Sequence, residues 1–233
     1  MADIVVHQLP GAWGLPSISP FCLKLDAWLR IAGLPFDLVV DATPFGGPKG
    51  KLPYIEHAGR KIGDSSLIVE YLEKTLGIDP DASLSASERA VARAMRRLVE
   101  ENLYWVMVYE RWMVDENWAD FRDVVLQGVP RPLRAVIGPV ARRGVRRQLV
   151  GHGIGLHARE EIVAIGIGDL GAVADFLGDK PFLMGEAPTG IDATAYGFLA
   201  NIAAPPYDGA LKRAATSRPN VMAYLDRMRG RFS

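Results

Sequence analysis

The feature that most constrains the fold is a strand-like run that passes, through a short loop, into a proline-opened helix. Ile4-Val5-Val6-His7-Gln8-Leu9 is rich in β-branched residues and predicts a strand. Further on, Leu25, Trp28, Leu29 and Ala32 recur at the spacing of one helical face. Between them, Ser19 reads as an N-cap and Pro20 as the first helical residue, where a missing N–H costs nothing. A helix start gathers unpaired N–H groups and the positive end of the dipole, so it favours a nearby anion. A thiolate held there is stabilised against its thiol, with the Ser19 hydroxyl placed to donate to it.

The first third of the chain alternates β-like and helical segments. Gly33-Leu34-Pro35 ends the first helix, and residues 36–40 predict a second strand. Residues 42–50 carry Pro44, Gly46, Gly47, Pro48 and Gly50 and predict irregular structure. Tyr54-Ile55-Glu56-His57 reads as a third strand, and Ala58-Gly59-Arg60 turns into a short fourth at Lys61-Ile62-Gly63. Asp64-Ser65-Ser66 caps a helix whose apolar face holds Leu67, Ile68, Tyr71 and Leu72. The order reads β-α-β-α-β-β-α, an α/β unit of about 75 residues.

Beyond it the pattern is helical only. Ser87-Glu88 opens a long predicted helix to about Trp118, and a weaker, Gly- and Pro-interrupted stretch follows to about Gly155. Helices are predicted at 157–177, 190–202, 207–214 and from Pro219. Thr189-Gly190-Ile191-Asp192 has the form of a capping box with Asp in place of Glu. The division is therefore 1–76 as an α/β domain, 77–84 as a linker and 85–233 as an all-α domain.

Composition removes several classes of function. The formal net charge is zero, so nothing global points to nucleic acid. One cysteine, Cys22, excludes an internal disulfide and a Cys-based zinc site and suits a reducing, cytoplasmic compartment. The first residues lack a basic segment followed by an apolar one, so no signal peptide is read, and no long uncharged apolar run predicts a spanning helix. His7, His57, His152 and His157 are scattered without metal-ligand spacing, so no metal is expected.

Taken together, Ser19-Pro20-Phe21, Lys51-Leu52-Pro53-Tyr54-Ile55, Asp64-Ser65 with Ile68-Val69-Glu70-Tyr71-Leu72, and Thr189-Gly190-Ile191-Asp192 resemble the glutathione transferase superfamily. Ser19 to Leu25 and Lys49 to Ile55 are most similar to the branch of metaxins and failed-axon-connections proteins. The resemblance implies a thioredoxin-like N-terminal domain carrying a glutathione site, an all-helical C-terminal domain and a homodimer. Glutathione enters as co-substrate, with a small apolar electrophile as the second partner and no nucleic acid.

The resemblance makes Ser19 the catalytic residue, donating to the glutathione thiolate. A free thiol has a pKa of about 8.5, so little is ionised at neutral pH without such help. It assigns glutathione contacts to Phe21, Lys51, Leu52, Pro53, Asp64 and Ser65. It implies a cis Leu52–Pro53 bond that frees the Leu52 backbone for the cysteinyl part. Ser65 would take the γ-glutamyl carboxylate at a helix start, and Asp64 would help hold the ammonium. The plainer reading of Ser19, Asp64 and Ser65 is N-capping, which a hydroxyl satisfies while still donating elsewhere. Trp13, Tyr104, Val108 and Trp112 are the candidates for the electrophile pocket, although an aromatic helical stripe also serves as core or dimer seam.

Two departures matter. Residues 10–18 form a longer first loop, with Trp13 placed to narrow the site or act as a lid. Residues 124–159 contain no Asp or Glu but seven arginines, at 131, 134, 142, 143, 146, 147 and 159. A basic amphipathic surface is one reading; a solvated face paired with acids elsewhere is preferred, because Pro132 and Pro139 break a surface helix, and membrane contact is not expected. Two alternative functions stay open: a transferase-like scaffold without catalysis, and a glutathione-dependent reductase or peroxidase using Cys22. Cys22 stands where a second Cys of a Cys-x-x-Cys pair would, with Ser19 at the first place, so no internal dithiol cycle is available.

Overall fold

The structure, a computed structural model, describes residues 3–41 and 43–232, with Pro44 described in its backbone alone. Four strands and ten α-helices are present among the described residues. The strands are β1 (Ile4–Gln8), β2 (Asp37–Val40), β3 (Tyr54–His57) and β4 (Arg60–Gly63), in sheet order β2-β1-β3-β4. β1 and β2 are parallel, joined by the crossover helix α1 (Pro20–Ile31); β3 lies antiparallel to both β1 and β4. His7 faces Tyr54 and Tyr54 faces Gly63 across the ladders. The end of β1, the start of β3 and the end of β4 therefore meet at one end of the sheet. Helix α2 (Ser65–Leu76) begins there.

Residues 43–50 form no second α-helix, which corrects the order read from the sequence. One 3₁₀ turn at Pro44–Gly46 takes its place. With Pro44, Gly46, Gly47, Pro48 and Gly50 in eight residues, there is neither the N–H supply nor the backbone stiffness for regular turns.

The helical half starts at α3 (Ala86–Arg97), capped by Ser85 rather than Ser87. The Ser85 hydroxyl accepts from the Glu88 amide at 3.3 Å, and the Ser85 amide donates to the Glu88 carboxylate at 2.8 Å. The long predicted helix is in fact three pieces. A π-helical turn over Leu98–Leu103 joins α3 to α4 (Tyr104–Met113), and extended Val114 separates α4 from α5 (Asp115–Val125).

Helix α6 (Arg131–His152) runs without a break through the stretch predicted to be interrupted. Pro132 lies in its first turn, where no hydrogen bond is lost. Pro139 is interior, but neighbouring Gly138 is buried against Trp118 and Leu126, so tertiary packing overrides the local preference. Of the seven arginines in 124–159, only Arg142 forms an ion pair among the described residues, with Asp115. It also donates to the carbonyls of Trp112 at 2.6 Å and Met113 at 3.0 Å. The expected pairing of this face with acids is thus confined to one residue. Helices α7 (Arg159–Leu177), α8 (Gly190–Ala203), α9 (Ala210–Thr216) and α10 (Pro219–Gly230) complete the chain.

The core centres on α1, whose widest contact is with α8. Nine of the twelve α1 residues are buried, Leu25, Trp28 and Leu29 among them. Gly197 permits the approach: a Cβ there would meet the Pro20 carbonyl oxygen at 2.6 Å and the Lys24 amide at 2.8 Å. Asp192 holds the start of α8, accepting from the amides of Thr189 and Leu183, each at 2.8 Å. No helix among the described residues is long and apolar enough to cross a membrane.

Candidate functional site

Ser19 caps α1 with extended backbone (φ −92°, ψ 121°), and its hydroxyl oxygen accepts from the Cys22 amide at 3.3 Å. That contact uses a lone pair, and the hydroxyl also hydrogen-bonds the Cys22 thiol, so it would have to turn from that sulfur to donate to an incoming one. Ser19 is half-buried. α1 starts at the C-terminal end of β1, so Ser19 shares the sheet end reached by Leu52–Pro53 and by Asp64. The Leu52–Pro53 bond is cis, as the resemblance implied. A bond across this end joins α1 to α2: the Lys24 ammonium donates to the Ser66 hydroxyl at 2.9 Å.

Asp64 caps α2 from a left-handed backbone (φ 84°). One carboxylate oxygen accepts from the amides of Ser66 at 2.9 Å and Leu67 at 3.2 Å. The cap therefore occupies two of the amides that an incoming carboxylate would use, leaving Ser65, a buried residue, as the first-turn contact. Lys51 and the competing Lys49 are exposed on the Gly-rich loop.

Cys22 is fully buried, and burial pushes its thiol up, against hydrogen bonding to Ser19, Leu9 and Ser17 that pulls it down. A buried, protonated thiol is a poor nucleophile. This placement weighs against the reductase alternative.

The structure divides the four electrophile-pocket candidates. Tyr104 meets Phe21 edge-on with centroids 5.0 Å apart, Phe21 meets Phe198 at 5.1 Å, and Val108 is buried in the main core. Trp13 belongs to another group, built on Phe121, and Trp112 packs against both. Trp112 stacks on Trp118 at 5.0 Å and meets Phe121 edge-on at 5.4 Å; Trp13 lies 6.2 Å from Phe121 and 6.3 Å from Tyr207. Ile18, the residue before Ser19, is buried in this second group. Phe121, Trp118 and Tyr207 were not singled out from the sequence; nothing in one-dimensional spacing links them to residue 19.

The first loop is tied down along its length. Ala12 and Leu15 form a β-bridge around Trp13 (φ 56°). The Ile18 amide donates to the Pro10 carbonyl at 3.1 Å, and the Gln8 side chain donates to the Pro16 carbonyl at 3.0 Å. Three cavities lie elsewhere, one of about 560 Å³ between α4 and α6 that includes Tyr109, Arg143 and His157. None is lined by Ser19. The chemistry of helix start, hydroxyl and cis-proline, rather than cavity size, makes the sheet end the candidate site. Among the described residues no three His, Cys, Asp or Glu side chains cluster as a metal site would require.

Comparison with known proteins agrees with the fold. Residues 20–117 match the glutathione S-transferase N-terminal domain, and residues 166–228 match the glutathione S-transferase C-terminal domain. The chain is 34% identical to the isoprene-epoxide–glutathione S-transferase of Rhodococcus sp. (strain AD45), over 98% of this chain and 99% of that protein. It is 32% identical to failed axon connections of Drosophila melanogaster over 97% of this chain, but spans only 57% of that longer protein. Among solved structures, a glutathione S-transferase of Ceriporiopsis subvermispora in complex with glutathione superposes with a TM-score of 0.66 at 18% identity, covering 98% of this chain and 97% of that one. The chain belongs to the glutathione S-transferase family, on the branch that includes failed axon connections.

Proposed function

We propose that the protein is an active glutathione transferase that adds the glutathione thiolate, stabilised by the Ser19 hydroxyl, to a small apolar electrophile, with epoxides the class to try first. The observation that carries the reading is Ser19 itself: half-buried as the N-cap of α1, with a hydroxyl whose oxygen accepts from the Cys22 amide. A hydroxyl donor beside a helix N-terminus favours the thiolate over the thiol. The thiolate sulfur forms a bond to carbon as a carbon–oxygen bond of the oxirane breaks, and the oxygen leaves with the electron pair and takes a proton from water. Similarity to a named isoprene-epoxide transferase over nearly the whole of both chains supports the epoxide class. The glutathione site is assigned to Phe21, Lys51, Leu52, Pro53 and Ser65, with Asp64 holding the helix start, and a homodimer in the cytoplasm is part of the same reading.

The test is calorimetric titration with glutathione beside turnover of a chromogenic aryl epoxide. Ser19→Ala lowers kcat about tenfold to a hundredfold, the worth of a hydrogen bond to a charged group. Its glutathione Kd changes by less than about threefold, because the bond strengthens only as thiolate forms. Failure of the wild type to bind millimolar glutathione, or equal loss in kcat and affinity, overturns the assignment. A second reading, a scaffold that binds other molecules, is favoured by α6. Its outward side exposes Val136 (65%) and Val140 (60%) beside Arg143 and Arg147.

A further inference from the structure

We infer that Arg111, on α4, is the residue that positions Ser19 for reaction, acting through the peptide unit that joins Ile18 to Ser19. This inference rests on the proposed transferase activity. Arg111 is only 3% exposed. One terminal nitrogen donates to the Ile18 carbonyl at 2.9 Å; the other donates to the Asn201 carbonyl at 2.6 Å and to its side-chain oxygen at 2.9 Å. The guanidinium carbon lies 5.8 Å from the centroid of Trp13 and 5.3 Å from that of Phe121. Among the described residues no carboxylate pairs with it, and its Nε is buried without a hydrogen-bond partner.

A buried cation answered by carbonyls, rings and the Tyr207 hydroxyl, with no carboxylate, is an expensive way to fill space, since an apolar side chain of similar volume would cost less desolvation. What the arginine accomplishes is specific. The Ile18 carbonyl and the Ser19 amide are the two ends of one peptide plane. Arg111 holds the carbonyl end, and the Ser17 hydroxyl accepts from the amide end at 3.3 Å while donating to the Leu9 carbonyl at 2.8 Å. The Asn201 side chain, anchored on the Gly197 carbonyl at 3.0 Å, also reaches the Ser17 carbonyl at 3.5 Å. With its plane fixed at both ends, the backbone from which the Ser19 side chain projects is set by α4 and α8, not by the loop alone. Positioning of this kind matters because a small misplacement of a reacting group costs up to about a hundredfold in rate.

The experiment is a double-mutant cycle on kcat with glutathione and the aryl epoxide, using Ser19→Ala, Arg111→Lys and the pair, with Tm and glutathione Kd measured for each. Lysine keeps the charge but lacks the fork that spans Ile18 and Asn201. Arg111→Lys is expected to lower kcat about tenfold with little change in glutathione Kd. The pair is expected to be within about twofold of Ser19→Ala alone, because without the hydroxyl there is nothing left to position. If the two losses multiply, or if Arg111→Lys loses only Tm, the positioning role is overturned while the transferase reading stands. If the wild type turns over no electrophile, both fall together. Should Arg111→Lys not fold, Asn201→Ala removes the second anchor and is expected to lower kcat about threefold, again without a further loss in the Ser19→Ala background; additive losses there overturn the role equally.

Discussion

Replacing Lys24 with methionine probes the polar joint between the sheet layer and the helices. The Lys24 ammonium donates to Glu100 at 2.5 Å, and the two side chains are 3% and 4% exposed. Glu100 sits in the π-helical turn, and Thr194 on α8 donates to the same carboxylate oxygen at 3.4 Å. Methionine matches the lysine stem in volume but leaves a carboxylate buried with that weak hydroxyl contact, and also withdraws the donor to Ser66. Removing one member of a buried ion pair costs about 3–5 kcal/mol. For a chain of this size each kcal/mol moves Tm by about 2–4 °C, so the loss is about 6–20 °C. The pair Lys24→Met with Glu100→Gln removes the stranded charge and should recover about half of the loss. Urea and thermal unfolding followed by circular dichroism at pH 7 measure both. A loss below about 1 kcal/mol for the single variant, or a double variant no more stable than the single one, would refute the reasoning, since either means that water reaches the carboxylate.

Cys22 should resist an aromatic disulfide reagent in the native protein and react fully in urea, because burial keeps its thiol protonated; rapid native labelling would show an open path to it. Glu110 accepts from the amides of Ala210 and Leu211 at 2.9 and 3.2 Å, yet burial raises its carboxyl above the ordinary carboxylate value. A carboxyl raised in the folded state binds its proton more tightly there, so its contribution to stability is present at acidic pH and is lost as pH rises through the folded value. The urea midpoint of Glu110→Gln should therefore gain on that of the wild type as pH rises from about 4 into the neutral range, and a constant gap over that whole range would refute the shift.

The parts of this molecule that were legible in its sequence are those decided by neighbours in the chain. Ser19-Pro20 opens a helix because cap and proline act within one turn, and Thr189 with Asp192 does the same for α8. The strand positions, to within a residue at each end, and the turn at Ala58-Gly59 followed from local composition. The cap of α3 was misplaced by two residues, because Ser85 and Ser87 both precede acceptable helix starts and only the Glu88 carboxylate decides between them. The π-helical turn and the unbroken α6 come from packing, which sequence spacing does not encode. The same holds at the site. Ser19 stands out as a helix cap, Leu52, Pro53 and Ser65 enter through the family resemblance and Trp13 through the long first loop, whereas the rest of the surroundings of Ser19 are assembled from positions 111, 121, 201 and 207.

The close seating of α8 on α1 at Gly197 has a bearing on how such proteins can change. The tightest of those approaches is to the carbonyl of Pro20, next to the serine itself. A shift in the helix on one side is therefore felt at the Ser19 end of the helix on the other, with no slack to absorb it. Grafting a foreign helical half onto this sheet would succeed only if the donor brought an equally slim residue at that point. The outward side of α6, which packs on α4 rather than on this seam, is where a new surface could be traded freely.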